Sequence, residues 1–333
     1  MGKSSTSTGG LTRRAAAGLI AASPLAMPAL VRAQAKYPSG PVRLVLPFAA
    51  GGVADITARI VADKLGDKLG QRFYIDNMPG AGGVAAARAV LQAPTDGLTL
   101  ALFSNGTAIS VPLFKKLPFD PVNEFTPVST LGVFDFIFAT SAESDYKTLG
   151  DLLKFAREKP GVVNIGTVIV GSTQNLSGEL FRTSANIQAD IVPFKATPEI
   201  LLAVMRKDIH VVIDSLAAMQ SLMDAGKIRA LASSGPVRGD ATPNLPTVAE
   251  SGVPGFDVTS WNAIFAKKGT PQPILDQLNA SIGEVLGDAE VKASFLKLGI
   301  TPKASTPADL AGRLNADIVK WGAVIKTAGI EQQ

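Results

Sequence analysis

The sequence predicts a two-lobed α/β fold, and three observations point to it. Short β-type apolar runs alternate with helix-periodic stretches, the alternation occurs twice, and 333 residues exceed what one ordinary core fills. Strand–helix–strand units of this length pair their strands in parallel through right-handed crossovers. Each lobe is therefore expected to be a mostly parallel sheet flanked by helices.

Val42-Arg43-Leu44-Val45-Leu46 is the first strand, stopped by Pro47 and the Gly51-Gly52 pair. Ile56, Ile60, Leu65 and Leu69 then recur near helical spacing up to Gly70, a glycine stop. Phe73-Tyr74-Ile75 is a second strand, and Pro79-Gly80-Ala81-Gly82-Gly83 turns into an alanine-rich helix reaching Ala93. A third strand covers 99–103. The second round has a strand at 162–165, a helix at 174–183, a strand at 189–192, a helix at 198–205, and strands at 209–213 and 228–232. Two apolar stretches, 134–140 and 256–267, are where the chain crosses between lobes. Lobe 1 is then 36–138 plus 262–333, lobe 2 is 139–261, and the hinge lies near 138–140 and 258–263. Ile274, Leu275, Leu278, Ile282, Val285 and Leu286 mark an amphipathic helix, and Trp321 with Val324 belongs to a final helix as a core anchor.

Residues 1–35 have the layout of an export signal. Lys3, Arg13, Arg14 and Arg32 are basic, no acidic residue occurs, and an apolar segment ends in the small-x-small pattern Ala33-Gln34-Ala35. Pro24 and Pro28 interrupt the apolar segment, which argues against a membrane span. Thr12-Arg13-Arg14 fits a twin-arginine signal; a Sec signal with a chance arginine pair is the alternative. Either route implies the periplasm, with cleavage after Ala35. The whole chain has 32 basic and 28 acidic residues, a net +4, and the four cations of the signal account for that excess. The remainder balances at 28 against 28, which excludes nucleic acid as a partner. With one His and no Cys, neither a metal centre, a disulfide nor a cysteine nucleophile is expected.

Pro47-Phe48-Ala49-Ala50-Gly51-Gly52-Val53-Ala54-Asp55 lies between a strand and a helix. Glycines let the N–H groups face inward, and a helix start adds about half a positive charge, so the loop can hold an anion without a basic side chain. The plain alternative is a turn with Asp55 as helix cap. The Gly80-Ala81-Gly82-Gly83 loop nearly matches a dinucleotide fingerprint, but the ribose-binding acid is missing where Ser104-Asn105-Gly106 stands. Tight packing explains those glycines, no cofactor is expected, and Asn105 is kept as a candidate ligand contact. Gly166-Thr167-Val168-Ile169-Val170-Gly171-Ser172 lacks the lysine of a phosphate loop, yet supplies a second set of amides with the Ser172 and Thr173 hydroxyls. Facing the first loop across a cleft, it would clamp a small anion. His210 is expected to be a satisfied histidine in an apolar run, so no Ser-His-Asp set emerges. Asp214 ends its strand where open α/β sheets bind ligands; its competing role is to cap a helix beginning at Ser215.

These motifs, with Leu117-Pro118-Phe119-Asp120-Pro121, Ser177-Gly178-Glu179-Leu180-Phe181, Val192-Pro193-Phe194-Lys195, Leu245-Pro246-Thr247-Val248-Ala249-Glu250, Trp261, Gly269-Thr270-Pro271 and Ala328-Gly329-Ile330, resemble a known family. It is that of the tripartite tricarboxylate transporter receptors, the Bug/TctC-type periplasmic binding proteins. The resemblance implies a Venus-flytrap that catalyses nothing, captures a small organic carboxylate and delivers it to membrane transporter subunits, acting as a monomer. A ligand-binding sensor without a dedicated transporter is the alternative. The resemblance places Phe48, Gly52, Ala54 and Asp55 on the first ligand loop, and Gly171 and Ser172 on the second; Val53 and Thr173, beside them, are candidate ligand contacts as well. Asn175 stands where members often have His, Phe194-Lys195-Ala196 replaces Tyr-Lys-Gly, and the stretch from Asp214 to Ala217 departs from the common pattern. Those departures point to a ligand less acidic or less polar at its far end.

Overall fold

The first strand, β1 (Val42–Leu46), is paired in parallel with two others, β2 (Phe73–Asn77) and β3 (Thr99–Ser104). In this computed structural model, residues 1–6 and 37–333 are described, and Tyr37–Gln333 forms one unit. The export-signal features and the cleavage after Ala35 lie outside the described residues. The links are α1 (Val53–Leu69), closed by Gly70 in the left-handed conformation, and α2 (Val84–Gln92), entered through a tight turn at Ala81–Gly83. The next elements are α3 (Asn105–Leu113) and β4 (Phe125–Ser141), a strand of 17 residues.

The second half contains α4 (Leu149–Glu158), β5 (Val163–Val168), α5 (Thr173–Ser184), β6 (Ala189–Phe194) and α6 (Thr197–Met205). It continues with β7 (Val211–Ser215), α7 (Leu216–Asp224) and β8 (Ile228–Ser233). The chain then returns on β9 (Thr259–Lys267), followed by α8 (Gln272–Gly287), α9 (Ala289–Lys297), β10 (Thr301–Pro302) and α10 (Pro307–Ala328). No helix among the described residues is long and apolar enough to cross a membrane.

One strand connects the two sheets. From Phe125 to Asp135, β4 pairs with β9; from Phe136 onward it pairs with β7 and β8. The strand order is β2-β1-β3-β9-β4-β7-β5-β6, with β8 and β10 also on β4. Pairing is parallel only among the outer strands of each half and antiparallel where β4 and β9 enter, so the sheet is mixed rather than mostly parallel. The physical cause is the path: a chain that leaves on one strand and returns beside it must run the two in opposite directions. Seventeen residues of strand extend roughly 55 Å, and β4 bends through register shifts at Pro127/Ser129, Thr130/Gly132 and Phe138/Ala139. Pro127 has no N–H to give the ladder, which favours the first of them.

Three apolar clusters result. One covers α1, α8 and α9 on the first half, and a smaller one lies under α6 and α7 on the second. The third runs through both halves, from Phe103, Phe125 and Phe265 to Phe138, Phe181 and Val211, and α10 covers it with Leu310, Leu314 and Trp321. The Trp321 indole N–H donates to Asn105 Oδ1 at 2.7 Å, and that of Trp261 donates to Asp317 Oδ2 at 2.6 Å. Trp321 is thus a core anchor; its indole ties α10 to the start of α3, and the Trp261 indole ties it to β9.

Candidate functional site

A cleft of about 560 Å³ opens between the two halves, in the size range of small-molecule sites. Its floor follows from strand alternation. Phe134 and Phe136 on β4, and Ser260 and Asn262 on β9, are two residues apart and share one sheet face. Asp135, between the two phenylalanines, faces the opposite side. The walls are the starts of helices: Gly52, Val53 and Ala54 at α1, Ser104 and Gly106 at α3, Ser172, Thr173 and Gln174 at α5, Thr197 at α6, and Ser215 and Ala217 at α7. Each helix start presents backbone N–H groups without an intrahelical acceptor and about half a positive charge.

Those starts are not equivalent. Ser104 caps α3 by accepting from the Gly106 N–H, and Ser172 caps α5 by accepting from the Asn175 N–H. No side chain caps α1, α6 or α7, and at α1 the N-cap is Gly52. The first amides of α1 therefore face the cleft unclaimed. No Lys, Arg or His is among the residues lining the cleft, and Asp214 is the sole charged one.

Asp55 has a different part from the one expected. Its buried carboxylate accepts from the Gly51 N–H, from Arg59 through two nitrogens, and from Asn77 Nδ2, each at 2.9 Å. The same Asn77 amide donates to the Phe48 carbonyl at 3.0 Å. Asp55 is neither the helix cap nor a wall of the cleft; it ties the first loop in the shape that exposes the α1 amides. Burial acts to raise its pKa, but the hydrogen bonds from Arg59, Gly51 and Asn77 outweigh it and hold the group below the ordinary carboxylate value. Such a group stabilises the fold above the unfolded-state pKa near 3.8, and that contribution is lost as pH falls through the lower folded value. Replacing Asp55 with Ala is expected to lower stability by about 2–3 kcal/mol at pH 7. The deficit should shrink toward pH 3, as urea titrations at the two pH values would measure.

The second loop divides likewise. Ser172 and Thr173 line the cleft. Asn175 is buried beneath it, accepting from the Gly171 N–H at 3.2 Å and donating to Thr167 Oγ1 at 3.2 Å, so it shapes the loop as Asp55 shapes the first. Gly171 has φ +81° and lies against Leu113 of the facing half, where an added Cβ would come within 2.5 Å of Leu113 Cδ2. It lines an adjoining outer chamber with Gly80, Gly82 and Ile169, continuous with the cleft through Phe48, Gly106 and Ser172.

Of the residues singled out from the sequence, Phe48, Gly52, Val53, Ala54, Ser172, Thr173 and Asp214 meet at the cleft. Asn105 is buried behind it, its Oδ1 taken by Trp321. Lys195 is exposed just past the end of β6 and does not line the cleft. Asp214 accepts from Gln174 Nε2 at 3.2 Å, Thr197 Oγ1 at 2.6 Å and the Ser215 N–H at 2.7 Å. Sequence reasoning missed Phe134, Phe136, Gln174, Thr197, Ser260 and Asn262. The alternation Ser260-Trp261-Asn262, polar–apolar–polar, was the available signal for the last pair. His210 accepts from the Asn164 N–H through Nδ1 at 3.1 Å, and burial pushes its pKa down, as suits a neutral structural imidazole. Among the described residues no cluster of three metal-ligating side chains occurs.

The model of the tripartite tricarboxylate transporter family receptor matches residues 57–330. The chain belongs to that family. Protein BugT of Bordetella pertussis is 30% identical over 295 residues, 88% of this receptor and 90% of BugT. Among solved structures, R. palustris Rpa4515 with adipate has 34% identity and a TM-score of 0.79, covering 89% of this receptor and 99% of that chain. MatC (Rpa3494) from Rhodopseudomonas palustris with bound malate has 31% identity and a TM-score of 0.74, covering 87% and 100%. The two-lobed binding-protein fold expected for the receptor is thereby established, and the family is one of solute-binding receptors rather than of enzymes.

Proposed function

We propose that the protein is a periplasmic receptor that captures a small organic carboxylate between its halves and delivers it to a tripartite tricarboxylate-type membrane transporter. The observation that carries this is the uncapped start of α1, turned into a cleft lined by five helix N-termini and no cationic side chain. Charge-assisted hydrogen bonds from such amides strengthen as the ligand leaves water. The adipate and malate held by two relatives support a carboxylate as the ligand class. Membership of a family of solute-binding receptors supports capture and release without turnover; the receptor is proposed to act as a monomer. The compact unit begins at Tyr37, beside the expected cleavage after Ala35, in keeping with removal of an export signal; the Arg13-Arg14 pair supports the twin-arginine type.

A thermal-shift screen of the mature protein against mono-, di- and tricarboxylates, amino acids and aromatic acids tests the proposal. At least one carboxylate should raise the melting midpoint in a saturable way and be recovered unchanged. The absence of any shift across all carboxylates would overturn it.

A further inference from the structure

The two poles of the cleft are electrostatically unequal, and that inequality bears on which carboxylates fit. In the first half, the α1 amides lack a side-chain cap and the lining contains no acidic group. In the second half α6 and α7 also lack a side-chain cap, but an acidic group stands at their starts. Ser172 caps α5, and the Asp214 carboxylate binds the Ser215 N–H at the start of α7 and the Thr197 hydroxyl at the start of α6. An internal anion thus occupies the place where a second ligand carboxylate would find the positive ends of α6 and α7.

Asp214 retains capacity of its own. An ionised carboxylate offers about four lone-pair sites. Gln174 and Ser215 donate to Oδ1, and Thr197 donates to Oδ2, so one site on Oδ2 is unused. A ligand donor fits it; a ligand carboxylate is repelled. The floor adds an independent observation. Asn262, only 1% exposed and part of the cleft lining, has an Nδ2 with no hydrogen-bond partner among the described residues. A buried amide in that condition is destabilising unless something completes it. Its complement is an acceptor oxygen of a bound molecule. Between the poles the lining is apolar: Phe48, Phe134, Phe136, Ala218 and Leu298.

We propose that the cleft selects a monocarboxylate with an apolar body and a hydrogen-bond donor, a hydroxyl or an ammonium, at its far end, in preference to a dicarboxylate of the same length. The carboxylate lies on the α1 amides, Asn262 donates to a ligand oxygen, and Asp214 accepts from the far end. This rests on the carboxylate-receptor function proposed above and narrows it. Asp214 and Asn262 are then the specificity-determining residues.

Matched ligands separate the possibilities. Calorimetric titration of the mature protein would compare 6-hydroxyhexanoate and 6-aminohexanoate with adipate, and 4-hydroxybenzoate with terephthalate. Within at least one set, the donor-bearing acid should bind tenfold or more tightly than its dicarboxylate, and the hydroxyl and amino arms identify the donor. Asp214→Asn should shrink that ratio at least fivefold by improving the dicarboxylate, whereas loss of a purely structural group would weaken both ligands alike. Asn262→Leu should weaken every bound carboxylate about tenfold without lowering the melting midpoint of the free protein. Equal or tighter binding of the dicarboxylates would overturn the inference while leaving the receptor function standing. Binding of no carboxylate would bring down both.

Discussion

Replacing Gly52 with Phe is expected to remove most of the ligand-induced stabilisation while leaving the free protein intact. Gly52 has φ −80° and ψ 169°, an extended conformation open to any residue, and nothing lies within 4 Å of an added Cβ. The new side chain therefore strains nothing and projects into the cleft beside the α1 amides. The melting midpoint of the free variant should stay within about 2 °C of the parent. At a ligand concentration of about 100 times Kd the parent gains roughly 2.7 kcal/mol, and a hundredfold loss of affinity removes about 2 kcal/mol of it. Thermal shift with and without ligand measures both quantities. An undiminished shift in a well-folded variant would remove the first loop from the binding site. Gly51 would be a poor choice for this test, because its φ of +87° makes any side chain strained whatever the ligand does.

The second large effect concerns Asp135, on the reverse face of the crossing between the halves. Its carboxyl is packed against the backbone of Gly235, where an added Cβ would come within 2.3 Å of Oδ2, and accepts one hydrogen bond from Thr259 Oγ1 at 3.2 Å. Burial, with a further push from Asp257, raises its pKa to about 6, against the opposing effects of the Thr259 hydroxyl and Arg313. The sign follows from linkage. The folded state binds this proton more tightly than the unfolded state does, so the stabilisation is fully present below about pH 4 and lost as pH rises through about 6. Asp135→Asn mimics the protonated form. It should match the parent near pH 4 and exceed it by about 2 kcal/mol at pH 8, the difference growing as pH rises from about 4 through about 6. Urea unfolding of both proteins across that range isolates this group from the other carboxylates, which shift both curves together. A difference that does not vary with pH would refute it.

The strand–helix alternation and its turns were legible because their causes are local. Pro47 and Gly51-Gly52 stop a strand, periodic Ile and Leu make α1, and Gly70 ends it in the left-handed conformation. The same locality made Phe48, Gly52, Val53 and Ala54 visible as one wall, since loop and helix start are adjacent in sequence. Less legible was β4, seventeen residues long and containing Pro127, of which only the apolar stretch 134–140 stood out. Its partners β7, β8 and β9 lie far along the chain, and nothing within the segment announces them. The mixed character of the sheet follows from those pairings and shared their obscurity.

Asp55, Asn175 and Asp214 show the same boundary at single residues. Sequence position put each near a ligand loop, but hydrogen-bond partners decided its task. Asp55 and Asn175 are consumed by the loops they shape, through Gly51, Arg59, Asn77, Gly171 and Thr167. Asp214 keeps one unused lone-pair site and its place in the lining.

What the amino-acid sequence determined by itself is the strand–helix alternation of each half, the first loop and the receptor family, because turn chemistry, periodicity and ordered motifs act over a few residues at a time. The tertiary structure alone decided which strand faces meet. Register places Asn262 beside Ser104 and Gly132, and turns Phe134 and Phe136 into the cleft with Asp135 behind it. A shift of one residue would exchange those faces, and register is determined by long-range pairing that no local run of residues encodes.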